Sequence, residues 1–389
     1  MTLPEPLDGQ RAKRASREEL DLLLLGPVPP PFGGISVHLS RLVPLLERAG
    51  LSVGVLNHFS STEAPCVLGA LKKNPLNYYR LPKRFRHRML HYHHSRWPHL
   101  IAVALGKGKS QARYIVTLHA GDVQKHLPQL VSRVPLVARL TRWALHRFDL
   151  IVVVEPSIAA AIRERVDEQR VELVPAFIEP GADELGSYDA ALETFVRGAD
   201  TLLVVPAFSI QFRPDGGELY GIDTAVDAFV GLAAQREDLR MAVFMAREPE
   251  RPRSREHLDR LEQTLERAGL RDRVRVVFGQ PLAPALRPNA TFVRPTRADG
   301  DAVSIREAIS AGVPVVASDV VARPPGVVTF PVGDSDQLAS ALLAVLNRQT
   351  VTVDQAGVAQ PAAGGSFAER LIALYRSELE RAPSNDGAA

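Results

Sequence analysis

The chain of 389 residues holds a single cysteine, Cys66. One cysteine excludes an internal disulfide and a cysteine-based zinc site, and it fits a reducing compartment. Long apolar runs are missing too: no stretch approaches the roughly 20 apolar residues that a bilayer-crossing helix needs. The first nineteen residues are polar and charged, with no apolar core of a secretory signal. A cytoplasmic protein is therefore expected, soluble or peripheral at the inner face of a membrane. Acidic residues are absent from a long interval. None falls between Glu63 and Asp122, where eleven Lys and Arg occur, among them Lys72, Lys73, Arg80, Lys83, Arg84, Arg86 and Arg88. Tyr78, Tyr79, Phe85, Tyr92 and Trp97 are interleaved with them. Residues 72–97 could lie on an anionic membrane surface or gather an anionic substrate, or be a solvated surface balanced by acids elsewhere in the fold. No nucleic-acid recognition pattern is visible, so no nucleic-acid partner is expected.

What is present describes a globular chain. Apolar residues make up 46%, charged residues 23%, and the net charge is +3. The length suggests two or three domains. Leu20–Leu25 is a continuous apolar run, the pattern of a strand buried on both faces of a parallel sheet. It enters a Pro-rich turn that ends in Gly33 and Gly34, just before an amphipathic helix over 35–49 that Gly50 stops. Paired glycines there allow either close approach of a ligand to the backbone or tight strand-to-helix packing. Strands follow at 51–57, 89–94, 113–119, 150–154 and 171–176, with helices at 97–105 and 133–147 and another that Ser157 is expected to cap. A second strand and helix alternation begins at 201–205. It continues with helix 221–234, strand 240–246, helix 255–268, strand 273–278 and a helix ending near Asn347. The last helix is expected over 367–381. These patterns divide the chain into a disordered tail (1–19), an N-terminal α/β domain (20–198), a C-terminal α/β domain (199–364) and a final helix with tail (365–389).

The most informative stretch runs from Arg294 to Asp319. It reads as a strand (290–296), an acidic glycine-containing loop (Asp299, Gly300, Asp301), a helix through Glu307 and Ala311, a Gly312 stop, and a buried strand at 313–317. A strand that feeds a polar loop and then a helix leaves amides unpaired at the positive helix end, a ready seat for phosphate. Asp299 and Glu307 bracket that seat. Each could accept hydrogen bonds from hydroxyls at opposite ends of one elongated ligand. A histidine, His119, closes the strand 113–119 at its carboxyl edge, where ligands sit in open α/β sheets; a capping or surface role is the alternative.

This stretch resembles the motif of retaining GT-B glycosyltransferases of family 4 and group 1. The resemblance lies in two acids with seven residues between them, followed by Glu307-Ala308, Gly312 and Pro314 to Ser318. The loop through Gly33, Gly34 and His38 is similar to the glycine-rich loop of the N-terminal domain of the same enzymes. The resemblance implies an α/β fold of two Rossmann-like domains facing across a cleft, with a C-terminal helix crossing back to the first. It implies transfer of a sugar from a nucleoside diphosphate to a saccharide or anionic lipid-linked acceptor, in envelope polysaccharide or glycoconjugate synthesis. In that reading Glu307 holds the ribose, Asp299 holds sugar hydroxyls, and His119 faces the sugar. The amides of Gly300, Asp301, Ala302, Val303 and Ser304 cradle the diphosphate. No cofactor or metal is required, because the leaving phosphate itself deprotonates the acceptor. The Asp299-Gly-Asp301 spacing also mimics the DxD of metal-dependent transferases, which have a different fold.

The sequence departs from the family in two places. The motif begins with Asp299 where Glu is usual, and Asp301-Ala302 stands where Phe-Gly is usual. In the loop after the first strand of the second domain, Phe208 or Ser209 and Tyr220 stand where Arg and Lys usually neutralise the diphosphate. Arg213 is the remaining cation there. The alternatives are therefore a catalytically impaired binding protein of the same architecture, or a nucleotide-sugar epimerase or glycosyl phosphorylase.

Overall fold

A computed structural model describes residues 19–58, 66–71, 74–93, 96–119, 135–181, 184, 186–300, 302–347 and 367–383. Asp301, Lys72 and Lys73, singled out above, lie outside the described residues, as does the last position of the strand expected at 89–94. The chain divides into two compact units. The first comprises residues up to Pro29, 35–178 and the C-terminal segment from 365; the second comprises 179–364 with 30–34.

The first unit is built on seven parallel strands: β1 Leu20–Gly26, β2 Val53–Asn57, β3 Val67–Ala70, β4 His87–His93, β5 Arg113–Leu118, β6 Leu150–Val153 and β7 Val171–Leu173. Their order across the sheet is β3-β2-β1-β4-β5-β6-β7. Leu22 to Leu25 are all fully buried, as expected for a strand in mid-sheet with helices on both faces. The helices are α1 Gly34–Arg48, α2 Pro75–Tyr79, α3 Leu81–Arg84, α4 Trp97–Lys107, α5 Pro135–His146 and α6 Pro156–Arg163. The short strand β3 and the turns α2 and α3 were not expected from the sequence. They fall in the basic segment, where no periodicity is long enough to read. Helix α6 corrects one expectation: Glu155 occupies its N-cap and Pro156 its first position, so Ser157 lies inside the first turn. Proline at that position costs nothing, because its missing N–H would have had no intrahelical partner.

The last helix, α12 (Phe367–Glu380), belongs to this first unit. Tyr375 is fully buried, and its hydroxyl lies 2.7 Å from Nδ1 of His91 on β4. Arg113 on β5 donates through Nε and Nη2 to the Glu378 carboxylate at 2.8 and 2.6 Å. Arg88 donates to the carbonyl of Leu379 at 3.0 Å. The expected return of the final helix to the N-terminal half is thus held by a buried aromatic ring and an ion pair.

The second unit has six parallel strands: β8 Thr201–Ala207, β9 Leu239–Met245, β10 Val274–Phe278, β11 Ala290–Arg294, β12 Val315–Ser318 and β13 Val328–Phe330. The order is β10-β9-β8-β11-β12-β13. Its helices are α7 Ala190–Arg197, α8 Ile222–Ala233, α9 Pro252–Arg267, α10 Val303–Ser310 and α11 Ser335–Asn347. Alternation along the strands splits the core in two. Leu203, Val205, Met241 and Val243 pack with α8 and α11 on one face; Leu202, Val204, Ala242 and Phe244 pack with α10 on the other. Gly312, at φ +71, ends α10, and the amide of Val313 donates back to the carbonyl of Ala308 at 2.8 Å. Both sheets reverse their strand order beside the first strand of each unit, between β1 and β4 and between β8 and β11. Each therefore has a crevice at the carboxyl ends of those strands, where doubly wound folds bind ligands.

Truncating Tyr375 to Ala should destabilise the first unit by about 3–5 kcal/mol, the usual cost of emptying a fully buried aromatic site. Urea unfolding checks this; a loss below about 1 kcal/mol would mean that α12 is not docked.

Candidate functional site

Strand β11 ends at Arg294 and α10 begins at Val303, so residues 295–302 form the loop beside the strand-order reversal of the second sheet. Asp299 in this loop is buried, with 8% of its surface exposed. Arg294 clamps its carboxylate through Nε (2.7 Å) and Nη2 (2.8 Å), and Arg323 donates from Nη1 at 2.7 Å. Burial alone would raise the Asp299 carboxyl; the two guanidiniums, Arg294 foremost, outweigh it and hold the carboxyl below its ordinary range. Arg323 also donates to the Ser318 carbonyl at 2.9 Å, and the Ser318 hydroxyl donates to the Thr296 carbonyl at 2.6 Å. The ends of β11 and β12 are tied together through this network. Two guanidiniums thus share one carboxylate.

At the start of α10, Ala302 stands in the N-cap position with extended backbone (φ −72°, ψ 113°). Alanine brings no side-chain acceptor, and the first turn carries no acid. The cap residue itself therefore leaves the first amides of α10, those of Val303 and Ser304, without a side-chain acceptor of its own. Glu307 lies one turn further along and is buried. The structure thus brings Asp299, Gly300, Ala302, Val303, Ser304 and Glu307 to one helix start, as the sequence motif implied.

The neighbouring helix α8 is different. Glu218 is buried at 1% exposure, and its carboxylate accepts from the amides of Tyr220 (2.9 Å) and Ile222 (2.8 Å), so the protein caps this helix itself. Gly221 between them has φ +67°, and a Cβ there would stand 2.0 Å from the Pro295 carbonyl oxygen. Only glycine fits that approach. Burial pushes the Glu218 carboxyl up to about 7, against the pull of the two amides. Arg213 is already committed: Nη1 donates to the Arg297 carbonyl at 2.6 Å, and Nη2 pairs with Asp215 in its own loop at 3.0 Å. Arg297 in turn clamps Asp223 at 2.7 and 3.1 Å. Tyr220, at the position where the family resemblance places a lysine, lies in the field of both Arg294 and Asp299. Arg294 and Arg323 are the residues that sequence reasoning missed. Arg294 had a signal, a lone cation ending an otherwise apolar strand; Arg323, in a proline-rich loop, had none.

In the first unit the crevice holds four histidines. His93 ends β4, His119 follows β5, His38 lies on α1, and His91 sits two residues before His93 on the same face of β4. All four are buried. Nδ1 of His93 and Nε2 of His119 are 3.3 Å apart, and the His91 and His93 rings are 3.9 Å apart. His38 places Nδ1 2.7 Å from the Ala176 carbonyl, fixing a proton on that nitrogen. Burial lowers His38 to about 4 and takes His91 and His93 well below the ordinary range. Those three rings are therefore neutral at physiological pH. Among the described residues no three His, Cys, Asp or Glu side chains come together in a way that could hold a metal ion. Gly34 opens α1, and a Cβ there would meet nothing within 4 Å, whereas one at Gly26 would strike Leu39 at 2.4 Å. Tight packing thus accounts for Gly26 and not for Gly34.

Residues 32–181 match the family described as Glycosyltransferase Family 4, and residues 215–348 match the family described as Glycosyl transferases group 1. No match was found among curated proteins. Among solved structures, sucrose-phosphate synthase from Thermosynechococcus elongatus superposes with a TM-score of 0.67 at 17% identity, covering 93% of this chain and 100% of that one. HepE of Anabaena in complex with UDP-glucose gives a TM-score of 0.61 at 14% identity, over 92% and 99% of the two chains. A glycosyltransferase of Rickettsia africae gives 0.69 at 13% identity, over 93% and 99%. At these identities the structures speak for the fold.

The Glu218 carboxyl makes the second unit sensitive to pH. Its folded value lies above the unfolded one, so its contribution to stability is present below about 4.5 and is lost as pH rises through about 7. The loss should amount to about 3 kcal/mol, and Glu218→Gln should flatten it. Urea midpoints between pH 5 and 8 decide; a wild-type profile as flat as the variant's would mean that the buried carboxylate stays ionised throughout.

Proposed function

This chain belongs to the glycosyltransferases of family 4 and group 1, and we propose that it moves a sugar from a nucleoside diphosphate to a saccharide or anionic lipid-linked acceptor with retention of anomeric configuration. One observation carries the reading: of the two helices that start beside the strand-order reversal of the second sheet, α8 is capped by Glu218, while α10 has alanine at its N-cap and is flanked by the Arg294–Asp299–Arg323 cluster. The start of α10 is therefore the better seat for an anion. UDP and UDP-glucose bound to HepE support a nucleotide-sugar donor.

In this reading Glu307 accepts from the ribose hydroxyls, and the amides of Gly300, Ala302, Val303 and Ser304 take the diphosphate; Asp301 lies outside the described residues. Arg294 and Arg323 bring to this crevice the cations that Arg213, held by Arg297 and Asp215, does not. Asp299 orients these guanidiniums and presents any remaining lone pair to the sugar. His119 is assigned a hydrogen bond to the sugar as the reacting group of the first unit. As the bond from the anomeric carbon to the phosphate oxygen breaks, a bond to the acceptor oxygen forms on the same face. The acceptor proton passes to the departing phosphate, which leaves as the nucleoside diphosphate. Positive charge fixed in advance stabilises that departing anion without reorganisation. No enzyme carboxylate is called on as a base, in keeping with the clamping of Asp299. Gly33 and Gly34 are assigned to ligand approach at the start of α1, where a Cβ at Gly34 would meet nothing within 4 Å. The basic segment is assigned to an anionic acceptor, in envelope polysaccharide or glycoconjugate synthesis at the inner membrane face. Among the described residues no helix is long and apolar enough to cross a membrane.

Tyr220 and the self-capped α8 favour a second reading, a protein that binds nucleotide without transferring sugar. Thermal-shift measurements with UDP, ADP and GDP and their sugars test the first step. At a ligand concentration of 100 times Kd, stabilisation should reach about 2.7 kcal/mol. Glu307→Ala should weaken binding roughly 10- to 100-fold, the worth of a charged hydrogen bond. Absence of any shift would end the proposal, and a shift without glycoside product on any acceptor would leave the second reading.

A further inference from the structure

Five of the six large hydrophobic side chains that the described residues leave exposed lie on three helices of the first unit: Leu76 on α2, Leu105 on α4, and Leu136, Leu140 and Trp143 on α5. Isolated exposed hydrophobics are ordinary, but a group concentrated on neighbouring helices is not. Helix α2 packs on α4, and α4 packs on α5. On α5 the three residues are spaced by four and three, which makes one stripe. Arg139, Arg142 and Arg147 stand exposed along it, while Ala138, Thr141, Ala144 and Leu145 face inward and are buried. Cations also rim the junctions. Lys109 lies over the Tyr79 ring at 4.2 Å, and the Arg147 guanidinium approaches Gly108. Between residues 64 and 148 the sequence has sixteen Lys and Arg and one acid, Asp122.

We propose that the outer face of α5, with the exposed edges of α2 and α4, docks the first unit onto an anionic lipid surface. Leucine and tryptophan supply the part that enters the headgroup boundary, and arginine on the flanks meets the lipid phosphates; this pairing marks helices that lie in the membrane plane. A second copy of this chain fits poorly. A two-fold contact would set the arginine-bearing face of α5 of one copy against the same face of the other, and α5 itself carries no acid. The inference deepens the proposed acceptor class and rests on that reading only for the chemistry done at the membrane; the docking itself follows from the surface.

Trp97 and Trp143 are the two tryptophans of the chain, so the full-length Trp97→Phe protein reports on α5 alone. It would be mixed with phosphatidylcholine vesicles with and without 30% phosphatidylglycerol, at low and high salt. Trp143 emission should shift to the blue with the anionic vesicles, and high salt should weaken their binding by about tenfold or more. In the wild-type background, Leu140→Glu with Trp143→Glu should lower cosedimentation about tenfold or more, and Arg139→Gln with Arg142→Gln roughly fivefold per charge. All these positions are exposed, so the nucleoside-diphosphate thermal shift should stay at the wild-type value. No binding at low salt, binding with Trp143 emission unmoved, or a dimer in gel filtration that Trp143→Glu splits would each overturn the proposal. Vesicle binding without any nucleotide shift would sink the donor reading and leave the docking intact.

Discussion

The constraint on which the second unit's crevice depends is the neutralisation of one buried carboxylate. Asp299 could not stay ionised in that loop alone, since burial disfavours the charged form by more than the fold could tolerate. Arg294 and Arg323 make it affordable and, in doing so, fix three separate segments: the end of β11, the loop before α10, and the turn after β12. Removing either partner would leave buried charge unpaired, a larger loss than the pair's own net contribution. The cluster is therefore a brace for the loop and brings two guanidiniums close to the start of α10.

The two helix starts at this crevice show how the protein distributes anions. At α8 an internal acid, Glu218, has taken the amides, and the Gly221 backbone is pressed against Pro295 too closely for a side chain or a ligand to intervene. At α10 the cap position is alanine. Arg213 is held by the Arg297 carbonyl and Asp215, while guanidinium groups from β11 and from the turn after β12 gather near α10.

The first unit solves a different problem. Three of its crevice histidines, His38, His91 and His93, are so desolvated that they stay neutral, and they offer hydrogen-bonding geometry in place of charge. The sheet supplies this arrangement: residues 91 and 93 share a face of β4, and β5 runs parallel beside it and delivers His119 at the same edge. Its basic charge lies instead on helices at the surface, where it remains solvated and can meet another phase.

The sequence by itself determined the alternation of strands and helices, the two-sheet architecture, the glycine stops at 50 and 312, and the acid pair around α10. These follow from periodicity, backbone stereochemistry and motif spacing, all of which are local. It did not reveal that Asp299 is clamped, that Arg213 is spoken for, or that Arg294 and Arg323 converge. Arg323 lies 24 positions beyond the carboxylate it meets, in a segment with no pattern of its own. Nor could it show that Glu218 caps α8, because Glu218 reaches that helix only through the tight turn at Gly221. Tertiary structure decided these points, since a charge finds its partner through space once parallel strands have brought distant loops to the same edge.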